Sequence, residues 1–193
     1  MHEALPPGGA LVPAWLVAAN RAAGNPDDAP ALEVLGALEV TADAPLLVAS
    51  ERWGALPLGA GEALSVQSEP DRVTYLALRG GVVAPRVLGG CATQLSAGIG
   101  ARFVAGDRVV AGDAPAVAPG PVVLPSPVPA IRVIAGPDLD AFAPDVLDVL
   151  ASAAYRISGA SDRVGTRLVG PALARRADYV ERSRPMVCGA IEV

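Results

Sequence analysis

Between Pro13 and Ala23 the apolar positions recur three and four apart, which predicts a short helix with Trp15, Leu16, Ala19 and Ala23 on one face. Pro13 suits the first helical turn, Gly24 suits the position just past the last turn, and Asn25-Pro26 ends the run. From Leu32 to Gln67 the pattern changes to short apolar runs separated by turns. Leu32–Val34, Leu38–Val40, Leu46–Val48 and Leu64–Val66 read as strands. Val73–Leu78 is the strongest strand of the first half. It runs directly into Arg79-Gly80-Gly81, where two glycines permit a tight turn or a close backbone approach.

The stretch from Ala114 to Ala130 breaks this pattern, with prolines at 115, 119, 121, 125, 127 and 129. That density blocks helices and sheet ladders and favours an extended, semi-rigid linker; one long surface loop within a single domain is the alternative. The expected organisation is a first domain over 1–113, a Pro-rich linker over 114–130 and a second domain over 131–193. In the second domain Ile131–Ile134 reads as a strand ending at Gly136-Pro137, and Pro144–Ala151 reads as a helix. Tyr155–Ile157 and Thr166–Val169 read as strands on either side of a polar turn.

Composition sharpens the fold class. The 193 residues are 52% hydrophobic but only 4% aromatic, so the core is packed from Ala, Val and Leu. Twenty-one glycines and nineteen prolines spread along the chain predict many turns and few long helices, hence a mainly β protein. All fifteen basic residues are arginine, which excludes a lysine Schiff base and a phosphate-loop lysine. The single histidine is His2, at a terminus, which disfavours a histidine general base or a multi-histidine metal site. A net charge of −5 without a basic cluster argues against nucleic acid. Cys91 and Cys188 stand too far apart for a metal-ligand spacing, and two cysteines make no disulfide framework. No apolar run reaches the length of a membrane span, and no basic segment followed by an apolar stretch opens the chain. A cytoplasmic protein with no signal peptide and no membrane partner is the expectation.

Candidate chemistry is sparse. Ser161 to Leu168 is the most concentrated polar stretch in an apolar neighbourhood. There Arg163 or Arg167 is suited to a bidentate grip on a carboxylate, with Asp162 orienting the fork; a surface turn with a local Asp–Arg pair is the competing reading. Arg79 beside Gly80 and Gly81 is a second candidate, placed at a strand end where it can face a ligand. Asp138 follows a Gly-Pro turn and is similarly placed, whereas Asp145 and Asp148 sit in a helix's first turn and read as structural. Gly98-Ile99-Gly100 lacks the spacing of a dinucleotide loop, and neither cysteine has a histidine to activate it, so both read as buried structural residues.

Taken together, the motifs resemble those of a known family. Tyr75-Leu76-Ala77-Leu78-Arg79-Gly80-Gly81 is followed by Pro85, Val87-Leu88-Gly89, Thr93 and Gly106-Asp107; then comes Ile131-Arg132-Val133-Ile134-Ala135-Gly136-Pro137. Next stand Tyr155-Arg156-Ile157-Ser158 and Ser161 through Pro171, and last Gly189-Ala190-Ile191-Glu192-Val193. Near the start, Pro6-Pro7-Gly8-Gly9-Ala10, Ala19-Asn20-Arg21, Gly24-Asn25-Pro26 and Ala31-Leu32-Glu33 also match. In this order the set resembles the biotin-dependent carboxyltransferase family that includes KipA-like proteins, the C subunit of 5-oxoprolinase and the second subunit of allophanate hydrolase.

The resemblance implies two cyclophilin-like β-barrel domains, the second incomplete because relatives continue through more strands. It implies a subunit of an ATP-dependent 5-oxoprolinase or of a urea-type carboxyltransferase, acting on a small amide or cyclic amide. The partner would be a sister carboxyltransferase-half subunit, like the B subunit of 5-oxoprolinase or KipI-like proteins. No cofactor is expected on this chain; ATP or carboxybiotin would enter through the complex. Carried over residue by residue, Arg163, Arg167 and Asp162 are the expected catalytic residues, and Arg79, Gly80, Ser161, Asp138 and Glu192 the expected substrate-binding ones. The chain departs from the pattern at Cys91, where an arginine is expected, and near Asp138 and Glu192, where glutamine is more usual. Those changes keep a non-catalytic regulatory or partner-binding subunit, or a degenerate member, as the alternative. A stand-alone prolyl isomerase rests on the barrel analogy alone.

Overall fold

A computed structural model describes residues 8–70, 72–118, 124, 130–161, 165–180 and 187–193. The chain divides into two compact units, Met1–Pro127 and Val128–Val193. Among the described residues, strands outweigh two short helices, so the protein is mainly β as expected.

The first unit opens with helix α1, Pro13–Ala23. Its end is local chemistry: Gly24 adopts a left-handed conformation at φ 73°, its N–H donates to the carbonyl of Arg21, and the N–H of Asn25 donates to the carbonyl of Asn20. This pair of bonds is a Schellman closure, which only a residue tolerant of positive φ completes without strain. Strands β1 (Leu32–Val34), β2 (Ala37–Thr41), β3 (Leu46–Ser50), β4 (Gly54–Leu58), β5 (Ala63–Gln67) and β6 (Thr74–Leu78) follow. They form a four-stranded antiparallel sheet in the order β1-β6-β3-β4 and a separate antiparallel pair, β2 with β5.

The period-two alternation of β6 explains the layering. Tyr75 and Ala77 join Val73 on the side of α1, packing with Ala19, Ala23 and Ala49, with Trp15 and Leu16 at the margin. Leu76 and Leu78 point the other way, into a core with Val48, Leu58, Val34 and Val66, against Leu38, Val40 and Leu64 of the β2–β5 pair. All five residues of β6 are buried because a layer covers each face, which is why this strand reads as a continuous apolar run. The alanines allow α1 to lie close on the sheet.

Strand β4 has no counterpart among the strands expected from sequence. It carries Pro57 opposite Leu47, and a proline in a strand argues against pairing on both sides. In the sheet β4 is an edge strand, bonded among the described residues to β3 alone, where the missing N–H is tolerated.

In the second unit helix α2 spans Val146–Ser152, and β7 (Arg156–Ile157) pairs antiparallel with β8 (Leu168–Val169). A single 3₁₀ turn, Leu139–Ala141, precedes α2. The expected strand Ile131–Ile134 is not formed: no element is assigned there, and Ile131 and Ile134 are 85% and 96% exposed. A β-branched run becomes a strand only when a neighbour takes up its backbone groups, and none does among the described residues. Much of the Pro-rich segment 114–130 lies outside the described residues.

Candidate functional site

The first group of expected site residues stands at the end of β6. Asn25, just past α1, is 1% exposed, and its side chain takes the place of a neighbouring strand. Its Nδ2 donates to the carbonyl of Leu78 at 2.8 Å, and its Oδ1 accepts from the N–H of Gly80 at 2.8 Å. Asn20, fully buried on α1, backs it by donating through Nδ2 to the carbonyl of Ala29 at 2.8 Å and accepting from Asn25 Nδ2 at 3.3 Å. The helix end and the strand end are thus locked together by two amide side chains.

The glycines at this turn are required by close approach. Gly80 sits at φ 89°, and a Cβ there would run into the carbonyl of Gly112. The incoming segment is bonded in place: Gly112 N–H donates to Gly81 at 2.7 Å, Ala114 N–H to Gly80 at 3.0 Å, and Val117 N–H to Gly24 at 2.9 Å. Arg79 projects from this frame with an exposed side chain. A Cβ placed on Gly24 would lie 3.3 Å from its Nη1 and 3.5 Å from the carbonyl of Val117, so the guanidinium rests over the C-terminal end of α1. The negative end of a helix dipole favours a cation there. Arg79 is therefore held by a backbone frame while remaining open to solvent.

In the second unit the loop joining β7 to β8 carries the other candidates. Ser161 Oγ accepts from the N–H of Arg167 at 2.9 Å and donates to its carbonyl at 3.3 Å. Ser158 N–H donates to the same carbonyl at 2.8 Å, and its Oγ accepts from Ala160 N–H at 3.1 Å. The Ser161 hydroxyl is thus committed to closing the loop, so its role in this geometry is to present Arg167, whose side chain is exposed. Asp162 and Arg163 lie outside the described residues. Asp138 begins the 3₁₀ turn, and its Oδ1 accepts from the hydroxyl of Tyr179 at 2.6 Å. Glu192 is exposed.

Sequence reasoning missed the two asparagines as site-builders. Asn20 lies on the apolar face of α1, and a polar residue in that stripe is the signal that marks it. The cysteines also differ from expectation: Cys91 is half-buried with its thiol 3.8 Å from the carbonyl of Ala84, and Cys188 is exposed, so neither is a buried core residue. Among the described residues no cluster of three His, Cys, Asp or Glu side chains is suited to a metal ion. A surface cavity of about 480 Å³ lies between Leu139, Phe142, Pro144, Val146, Leu147 and Arg176. Its arginine is engaged by Asp178 through Nε at 3.1 Å and Nη2 at 2.8 Å.

Two bonded clusters elsewhere stabilise the frame. Tyr75 donates its hydroxyl to Glu33 Oε2 at 2.7 Å and accepts from Val12 N–H at 3.1 Å, tying the entry of α1 to the sheet. Glu51, with a fully buried side chain, accepts from Tyr75 N–H at 3.0 Å and faces Arg72 at 3.8 Å, and Arg72 lies 4.0 Å over the Trp15 ring.

Comparison with known proteins gives a consistent result. The family model described as carboxyltransferase domain, subdomain A and B, matches residues 4–193. The C subunit of 5-oxoprolinase from Escherichia coli (strain K12) is 30% identical over 207 residues, covering 96% of this chain and 67% of that protein. Crystal structures of TTHA0988 are similar in fold at 28% identity. One superposes with a TM-score of 0.60 over 88% of this chain and 70% of the other, and a second with 0.68 over 89% and 38%. Among the described residues no helix is long and apolar enough to cross a membrane.

Proposed function

The chain belongs to the carboxyltransferase domain family, and from that premise we propose that it is a subunit of a 5-oxoprolinase or carboxyltransferase-type complex acting on a small amide or cyclic amide. The observation that carries this reading is the match to the 5-oxoprolinase C subunit along 96% of the chain. The geometry agrees with it in one respect: arginines are presented to solvent by backbone frames, Arg79 by the glycine turn after β6 and Arg167 by the Ser161 clasp. A guanidinium presented to solvent from a fixed backbone suits a carboxylate, or the oxyanion that develops when an amide carbonyl is attacked.

In this reading Arg163 and Arg167 hold the reacting carbonyl or carboxylate, and Asp162 orients the fork. In the first unit Arg79 is the candidate substrate-binding residue, presented by the turn at Gly80; in the second unit Ser161 positions Arg167, and Asp138 and Glu192 are further candidates. A sister subunit, of the same type as the B subunit of 5-oxoprolinase, completes the site in the cytoplasm. ATP supplies the free energy for opening a stable cyclic amide. These 193 residues hold no lysine, so they supply no phosphate-loop lysine for the nucleotide.

The test is reconstitution with the sister subunits, 5-oxoproline and ATP, following glutamate release. Arg167→Ala and Arg163→Ala should reduce turnover at least a hundredfold while the complex still assembles. Near-normal rates would remove both residues from the site. A second reading, a regulatory subunit that binds its sister without chemistry, is favoured by Cys91 standing where the family pattern has an arginine. Stable assembly with no turnover on any amide substrate would select it.

A further inference from the structure

Glu51, just past β3, and Arg72, just before β6, leave two buried polar atoms without hydrogen-bond partners among the described residues. Glu51 Oε2 is in use: it accepts from Tyr75 N–H at 3.0 Å and from Ser50 Oγ at 3.1 Å. Glu51 Oε1 accepts no hydrogen bond, although the side chain is 0% exposed. Arg72 Nη2 approaches it at 3.8 Å, too far for a hydrogen bond. Arg72 Nε is buried as well and donates to nothing. A buried acceptor and a buried donor left open are costly, and together they call for a guest that bonds to both.

The surroundings define that guest. An anion would meet the Glu51 carboxylate and a cation the Arg72 guanidinium, so the guest is neutral. It donates to Oε1 and accepts from Nε. A flat guest suits the Trp15 ring, which already carries the planar guanidinium at 4.0 Å. An amide whose N–H lies cis to its carbonyl meets all three demands, because donor and acceptor stand side by side on one edge of a planar group. Room comes from the arginine. Its side chain is 30% exposed and, among the described residues, is held by stacking and a long ion pair alone.

We propose that Glu51 and Arg72, with Trp15 as a wall, form a binding site for a small neutral amide, a lactam or a primary carboxamide. In the bound state Glu51 Oε1 accepts from the amide N–H and Arg72 Nε donates to the amide carbonyl, while the guanidinium slides outward along the Trp15 ring. Arg72 and Arg79 flank opposite ends of β6, so this site is separate from the frame that presents Arg79. The ligand class follows from the acceptor, the donor and the ring alone. Only its use in amide turnover rests on the function proposed above, and binding to the isolated chain is read without turnover, so the two readings fail separately.

The probe is 2-pyrrolidone, a lactam without the carboxylate that exposed arginines would hold. The isotope-labelled 193-residue chain is titrated with it, following the Trp15 indole N–H and Arg72 Nε–H resonances by NMR. Both signals should shift saturably. N-methyl-2-pyrrolidone, which lacks the donor for Glu51, should bind about tenfold more weakly or worse. Glu51→Gln keeps an acceptor for Tyr75 N–H but turns a donor toward Arg72, and should weaken 2-pyrrolidone binding by about tenfold or more. Arg72→Met keeps an unbranched stem beside Trp15 and should weaken it to the same degree. If Glu51→Gln fails to fold, the pair of lactams and Arg72→Met still decide. No saturable shift, equal binding of the two lactams, or folded variants that bind like the wild type overturn the proposal. A crystal soaked in 2-pyrrolidone that holds only a water between Glu51 and Arg72 overturns it as well.

Discussion

Replacing Asn25 with alanine tests the claim that one buried amide holds the end of β6 in place. The substitution removes a donor to Leu78 and an acceptor from Gly80, both at 2.8 Å, and a weaker bond to Asn20 at 3.3 Å. The side chain is 1% exposed, so water cannot replace it without opening the junction. Each buried backbone group left unsatisfied costs about 1–2 kcal/mol, so the two together should cost about 2–4 kcal/mol. At roughly 2 kcal/mol per molar urea, the unfolding midpoint should fall by about 1–2 M. Asn25→Asp keeps the acceptor for Gly80 but sets an oxygen against the Leu78 carbonyl and buries a charge, so it should lose at least as much. A midpoint shift below about 0.3 M for both variants would show that the strand end is held by the backbone frame alone and refute the reasoning.

Other consequences are equally direct. Gly80→Ala places a Cβ against the Gly112 carbonyl at φ 89°; strain and displacement should lower stability by about 2–3 kcal/mol in the same assay, with assembly activity lost if Arg79 shifts. Tyr75→Phe removes the bonds to Glu33 and Val12 and should cost about 1–2 kcal/mol, read from thermal unfolding. Leu76→Ala, at a 1% exposed position in the central strand, should cost about 2–5 kcal/mol by leaving a cavity. The Asp27 carboxylate is held below its usual range chiefly by the hydrogen bond from Arg21, with desolvation opposing it and the Arg21 charge adding to it. A depressed folded pKa stabilises above the unfolded value of about 3.9 and loses that contribution as pH falls through the folded value. Asp27→Asn should therefore flatten the stability profile below about pH 4, which urea titrations at successive pH values would reveal.

Much of the first unit follows from local rules. Pro13 and Gly24 delimit α1 because proline's fixed φ suits a first turn and glycine alone takes the left-handed closure cheaply. The apolar runs at Leu32–Val34, Leu46–Ser50 and Thr74–Leu78 became strands because their neighbours in sequence left no competing pattern. The glycines after β6 announced a close approach, and the Gly112 carbonyl is what approaches. The family, too, was legible, since its motifs recur in order along the chain.

Tertiary structure decided the rest. Strand order β1-β6-β3-β4 depends on which faces are covered, and no local pattern encodes that. Pro57 hid β4 from sequence because a proline is acceptable only at an edge, and edges are a property of the assembled sheet. Asn20 and Asn25 looked like a helix residue and a helix stop; their burial against the end of β6 turned them into the brace for Arg79. Ile131–Ile134 has the residues of a strand and, among the described residues, no partner to make it one, because propensity selects a conformation while pairing between distant segments alone satisfies its backbone.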